Sequence, residues 1–126
     1  MSIAALVVVL VAAALELGPI ADNRQRRSVA VALTGGDPAR APALIRRYGC
    51  AGCHTVPGVA GADGKVAPPL ADLRERVFIA GVARHTPEAL IRWIVAPQSL
   101  SPHSAMPATG ITEAEARDVA AYLYAN

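Results

Sequence analysis

Aromatic side chains are scarce: one Trp, one Phe and three Tyr among 126 residues, 4 % of the chain. A core built from protein alone would be thin, and a domain of this size would gain much from an apolar group at its centre. Charge of one sign is lacking too. Twelve Lys and Arg oppose ten Asp and Glu, for a formal net charge of +2, so there is no basic stripe of the kind nucleic acid requires. One basic cluster, Arg24, Arg26 and Arg27, lies outside the C-terminal region; it reads as a solvated linker or as a contact with anionic lipid or a partner. No Ser/His/Asp set, phosphate-cradling glycine loop or paired-carboxylate site is visible, which leaves hydrolytic chemistry without support. Internal repeats and alternating apolar runs are absent as well, and the chain reads as one all-α domain behind an apolar N-terminal segment.

That segment runs unbroken from Ile3 to Leu15 and, allowing Glu16, extends to Ile20. The shorter length suits the apolar region of a signal peptide, with Ala12-Ala13-Ala14 as a cleavage signal; the longer barely spans a bilayer. No Lys or Arg precedes it, and the arginines after it bias the following chain toward the cytoplasm. The chemistry read below belongs on the exported side, and both readings of the segment export the domain to the periplasm. The expected organisation is a membrane anchor or signal over 1–20, a linker over 21–36 and a folded domain over 37–126.

Within that domain a first helix is expected from Asp37, with Pro38 at its first position, to Tyr48, where Gly49 ends it. Residues 55–70 hold three Pro and three Gly and read as a loop. Thr86-Pro87-Glu88 caps a helix running to Val95, with Leu90, Ile91 and Ile94 on its apolar face and Trp93 beside them. Thr112 to Glu115 is a capping box for a last helix that runs nearly to the end and buries Ala116, Val119, Ala120 and Leu123.

The strongest chemical signal is Cys50-Ala51-Gly52-Cys53-His54. C-x-x-C-H reads as a c-type haem attachment: two thiols add across the two vinyl groups, and the adjacent His lies beneath the iron. Small Ala51 and Gly52 let the backbone lie close to the porphyrin edge. A structural disulfide, a thioredoxin-like redox pair and a zinc site completed by His85 and His103 are the competing readings. Iron so held needs a sixth ligand or an open position. Met106, the one Met besides Met1, lies on a loop between Pro102 and Pro107 and is the candidate; its alternative is a flexible core filler. Met with His raises the reduction potential. His103 and His85 are rival ligands that read more simply as solvent-exposed.

From about Gly36 onward the chain resembles a class I cytochrome c. Tyr48 to His54 looks like that family's attachment site at the end of its first helix. Ala67-Pro68-Pro69-Leu70 resembles its Gly-Pro-x-Leu segment, with Ala67 where the family has Gly. Met106-Pro107 and the capped helix ending at Tyr124 resemble its distal ligand and last helix. Thr86 to Gln98 is similar to haem domains found beside or fused to terminal oxidases. The resemblance implies three main helices around one haem c, covalent through Cys50 and Cys53, with His54 and Met106 as iron ligands. It further implies that Pro68 offers its carbonyl to His54, that Tyr48 meets Leu123 where the first and last helices cross, and that Trp93 flanks the haem. The implied function is single-electron transfer with redox protein partners, a terminal oxidase or other membrane respiratory complex among them. A haem enzyme or gas sensor with a displaceable sixth ligand is the alternative.

Overall fold

The computed structural model describes residues 2–126. Its first element, α1 (Ile3–Thr34), is a single 32-residue helix. Ser2 caps it by accepting from the Ala5 N–H at 3.3 Å, and Gly35, in the left-handed region at φ 70°, ends it with its N–H on the Val31 carbonyl. The stretch expected as a linker over 21–36 is helical to Thr34: Gly18 and Pro19 do not break the helix. The reason is tertiary. Ala30 and Thr34 are almost fully buried, packed against the last helix, α5 (Glu113–Ala125). Packing of one face outweighs the weak local signal of a single Gly-Pro pair.

The junction is tied by specific bonds. Arg117 donates to the Thr34 carbonyl at 3.0 Å, a cation on a helix C-terminus. The Asp37 N–H donates to Asp118 at 2.7 Å, and Arg40 pairs with the same buried carboxylate at 3.2 Å. Asn23 and Arg27 line a cleft with Tyr122, Ala125 and Asn126. α1 and α5 therefore run antiparallel, Thr34 beside Arg117 and Asn23 beside the chain end.

α2 (Ala41–Arg47) starts three residues after Pro38, because Pro38 to Arg40 form a turn and Pro42 takes a place in the first turn of the helix. Gly49, at φ 77°, makes the expected stop. It opens α3 (Cys50–Cys53), a single turn. A 3-10 turn at Leu73–Glu75 follows the long loop. The purely α expectation then needs a second correction: β1 (Phe78–Ile79) pairs antiparallel with β2 (Ala83–Arg84). Two-residue strands are too short to show an alternating pattern, and the turn is made by Ala80 at φ 49° and Gly81 at φ 73°. α4 (Pro87–Val95) begins on the Thr86 cap as the sequence indicates, and α5 carries the full capping box of Thr112 and Glu115.

α5 is the common base: α1, α2, α4 and the Leu73–Glu75 turn all pack on it. Ile45, Leu90, Ile91, Ile94, Val119 and Leu123 form the centre of the core, and every fully buried side chain in it is aliphatic. Tyr48, Trp93, Tyr122 and Tyr124 pack at its edges.

Gly36 reports on the α1–α5 junction. A Cβ there would lie 2.1 Å from the Arg117 carbonyl oxygen and 2.5 Å from the Asp118 nitrogen. Gly36→Ala should lower the unfolding free energy by about 1–3 kcal/mol, read as a drop in Tm; an unchanged Tm would mean that the two helices do not dock in solution.

Candidate functional site

The site begins with a turn that only a glycine accepts easily. Gly49 reverses the chain after α2 so that α3 presents Cys50 and Cys53 on one turn, both half-buried and both free thiols. Burial, foremost, pushes the Cys50 thiol above its ordinary pKa, and the neighbouring Cys53 adds to the shift.

The 55–70 loop is stitched back onto this turn. The Gly64 N–H donates to the Ala51 carbonyl at 3.2 Å, that of Ala67 to Cys53 at 2.9 Å and that of Leu70 to Thr55 at 2.9 Å. The Thr55 hydroxyl donates to the Gly64 carbonyl at 3.0 Å. Gly64 lies so close that a Cβ would sit 2.6 Å from the backbones of Gly52 and Cys53. The far end of the loop is held by Tyr122, whose hydroxyl donates to the Pro57 carbonyl at 2.6 Å.

This stitching brings Pro68 to His54. The His54 Nδ1 and the Pro68 carbonyl oxygen are 2.7 Å apart. A carbonyl only accepts, so Nδ1 carries the proton, and Nε2 is the ring nitrogen left for a ligand role. The Ala67 that stands in place of a glycine does not disturb this contact.

Met106 is half-buried. Its N–H donates to the Ser104 hydroxyl at 3.2 Å, and its carbonyl accepts from the Gln98 side chain at 2.8 Å. Gln98 also reaches the Ser104 carbonyl at 3.2 Å, so one amide braces the loop between Pro102 and Pro107.

The model of the cytochrome c family matches residues 38–125. The chain belongs to the cytochrome c family. It is also similar to two proteins named cytochrome c oxidase subunit 2. With that of Bacillus sp. (strain PS3) it shares 39 % identity over 62 residues, 48 % of this chain and 17 % of the relative. With that of Alkalihalophilus pseudofirmus (strain ATCC BAA-2126 / JCM 17055 / OF4) it shares 39 % over 81 residues, 64 % of this chain and 23 % of the relative. The chain thus spans less than a quarter of the length of these relatives. No solved structure matches it.

Membership of the cytochrome c family implies electron transfer through haem c, and the residues fit that group. Two unbridged thiols share one helical turn, the His54 ring beside them uses Nδ1 on the Pro68 carbonyl and leaves Nε2 for a ligand role, and Val66, an apolar side chain two residues before Pro68, stands 84 % exposed. The free thiols do not support the disulfide reading. Among the described residues no three His, Cys, Asp or Glu side chains gather as a metal site, which leaves the zinc reading without its ligands.

The remaining candidates are placed as follows. Trp93 is half-buried against the aliphatic core. Tyr48 packs on the same core, in one cluster with Leu123, but its hydroxyl donates to Glu115 at 2.8 Å. Glu115 therefore serves both the α5 capping box and Tyr48. The Thr112 hydroxyl, then Tyr48, hold its carboxyl below the ordinary pKa, and that bond in turn raises the Tyr48 phenol. The Tyr48 role of Glu115, like those of Gln98 and Gly64, has no local signal in the sequence; Glu115 acts 67 residues away, and Gln98 and Gly64 act across loops.

His103 is exposed, as expected. His85 is not: both ring nitrogens are buried without a hydrogen-bond partner, and the ring packs against Tyr124 with centroids 5.3 Å apart. The surface expectation fails because the hairpin folds this residue onto α5. Burial lowers the His85 pKa below its ordinary value. The unfolded chain therefore takes up a proton near pH 6.5 while the folded one resists. Stability is at its fullest above about pH 6.5 and declines as pH falls toward and through the folded pKa. Melts of the wild type and His85→Phe across about pH 5 to 8 check this: the variant should lose part of the acid-side decline, and identical slopes would refute it.

Proposed function

We propose that this protein is a membrane-anchored single-electron carrier of the periplasmic side, with one haem c bound through Cys50 and Cys53 and ligated by His54 and Met106. The observation that carries the reading is the His54–Pro68 contact at 2.7 Å beside two free thiols. The bound group supplies the redox-active iron. The chain's own residues do the rest.

Pro68 fixes the His54 ring and its tautomer, which raises the basicity of the ligating nitrogen. Gln98 and the two flanking prolines hold the Met106 loop, so a thioether presented there stays at its post through a redox cycle. A soft thioether favours the ferrous state and raises the potential. His54 and Met106 would hold the iron of a bound haem and Cys50 and Cys53 its vinyl-derived carbons; a group so held by the chain would supply one-electron redox chemistry with little rearrangement of these residues. The near-neutral domain surface fits docking that does not depend on strong steering.

α1 supplies the anchor. It is long and apolar enough to cross a membrane, with a mean hydropathy of 2.5 over its best window and no part of that window buried. The likeness to oxidase subunit 2 supports a partner in a terminal oxidase or a related respiratory complex.

Absorption spectra of the purified protein test this reading, together with acid–acetone extraction. The colour should stay with the protein, the oxidised form should show the weak far-red sulfur-to-iron band, and carbon monoxide should leave the reduced spectrum unchanged. Met106→Ala should abolish the far-red band, admit carbon monoxide and lower the potential. Haem lost to acetone would remove the covalent reading; a wild-type spectrum that responds to carbon monoxide would move the function to a sensor or enzyme.

A further inference from the structure

We propose that the Glu16 face of α1 is the docking surface for a second transmembrane helix, one that carries an arginine in the half of the bilayer nearer the haem domain. The inference rests on the reading of α1 as a membrane span.

Glu16 is the one ionisable side chain between Ile3 and Ala21. It is exposed, and none of the ion pairs among the described residues includes it. A carboxylate in a membrane helix is costly and characteristically faces a polar partner in the protein interior rather than lipid. The same turn holds a second unsatisfied acceptor. Pro19 lies inside the helix and has no N–H, so the Leu15 carbonyl lacks its donor four residues on. Adjacent to each other stand a carboxylate and a free carbonyl, while the segment from Ile3 to Ile20 contains no side-chain donor. In lipid such acceptors are satisfied from a neighbouring helix. An arginine, with five N–H groups and a permanent charge, answers both.

The position of the surface follows from helix phase. Eighteen residues, five turns at about 3.6 residues each, separate Glu16 from Thr34. Glu16 therefore returns to the side of α1 that, above the membrane, is covered by α5 through Ala30 and Thr34. The covered stripe continues downward as an uncovered one, and its occupant would stand directly beneath the haem domain. Ala12, one turn before Glu16 on that side, permits close approach of a second backbone. A second copy of this chain is the poorer occupant, because a symmetric pair would set carboxylate against carboxylate.

The full chain, reconstituted in phospholipid vesicles with an acceptor dye at its N-terminus, is titrated with donor-labelled Leu/Ala transmembrane peptides. One peptide carries a single arginine at the matching depth and the other a leucine. The arginine peptide should associate about fivefold tighter or more, and Glu16→Leu should erase the difference. Equal association of the two peptides, or a preference that survives Glu16→Leu, overturns the proposal. Self-association of the labelled chain that disappears in Glu16→Leu overturns it in favour of a second copy. Alkaline extraction and the mass of the purified chain report separately on the span. A chain released from the vesicles, or cleaved after Ala14, sinks the anchor reading and the proposal with it, whereas a retained chain that shows no preference sinks the proposal alone.

Discussion

A one-turn helix carrying two thiols has almost no stability of its own. What holds Cys50–Cys53 in place is the return of the chain between Thr55 and Leu70, which donates three backbone N–H groups to carbonyls of the turn and its edge and sends the Pro68 carbonyl to His54. That return is possible only because Gly64 has no Cβ and can lie on Gly52 and Cys53. The loop is rich in Pro and Gly, and its conformational freedom is removed by backbone bonds and by Tyr122 at its far end. Site geometry and loop geometry are thus one constraint. The thiols, the ring tautomer and the orientation of His54 are set together, before any ligand is considered.

A second layer of organisation comes from α5. One capped helix supplies the floor for α1, α2 and α4, and its polar side chains fasten what surrounds it. Glu115 receives Tyr48 at the start of the attachment segment, Arg117 caps α1, Asp118 receives the backbone of Asp37, and Tyr122 pins the loop after His54. α1 is one helix from Ile3 to Thr34 whose end is fastened to α5, so a continuous helix joins the apolar segment to the domain. Within the proposed function, the domain is held at a set height and azimuth above the membrane, an arrangement suited to a fixed partner in the same membrane.

Much of this was legible in the sequence, and the reasons differ by element. The Thr86 and Thr112 caps are local chemistry, and the helices they open begin where the residues indicate. C-x-x-C-H is local as well, and it led to the family that the comparison shows. What failed to show was non-local. The run 21–34 looks like a linker because its helix is stabilised by α5, some eighty residues away. His85 looks like a surface residue because nothing local announces that a hairpin of two-residue strands turns it onto Tyr124. Gln98 and Glu115 are ordinary polar residues until the fold shows whose backbone or hydroxyl they hold.

The central claim of the proposed function is a carrier whose haem iron would be held by His54 and Met106. Proton NMR of the reduced, haem-loaded full chain tests it most directly, since a methionine methyl held against the porphyrin face lies in the ring current. The account predicts one three-proton resonance shifted far upfield of the ordinary methyl region and absent from Met106→Ala. A reduced spectrum with no such resonance, or one that persists in Met106→Ala, would contradict the ligand assignment and with it the reading of this protein as a six-coordinate electron carrier.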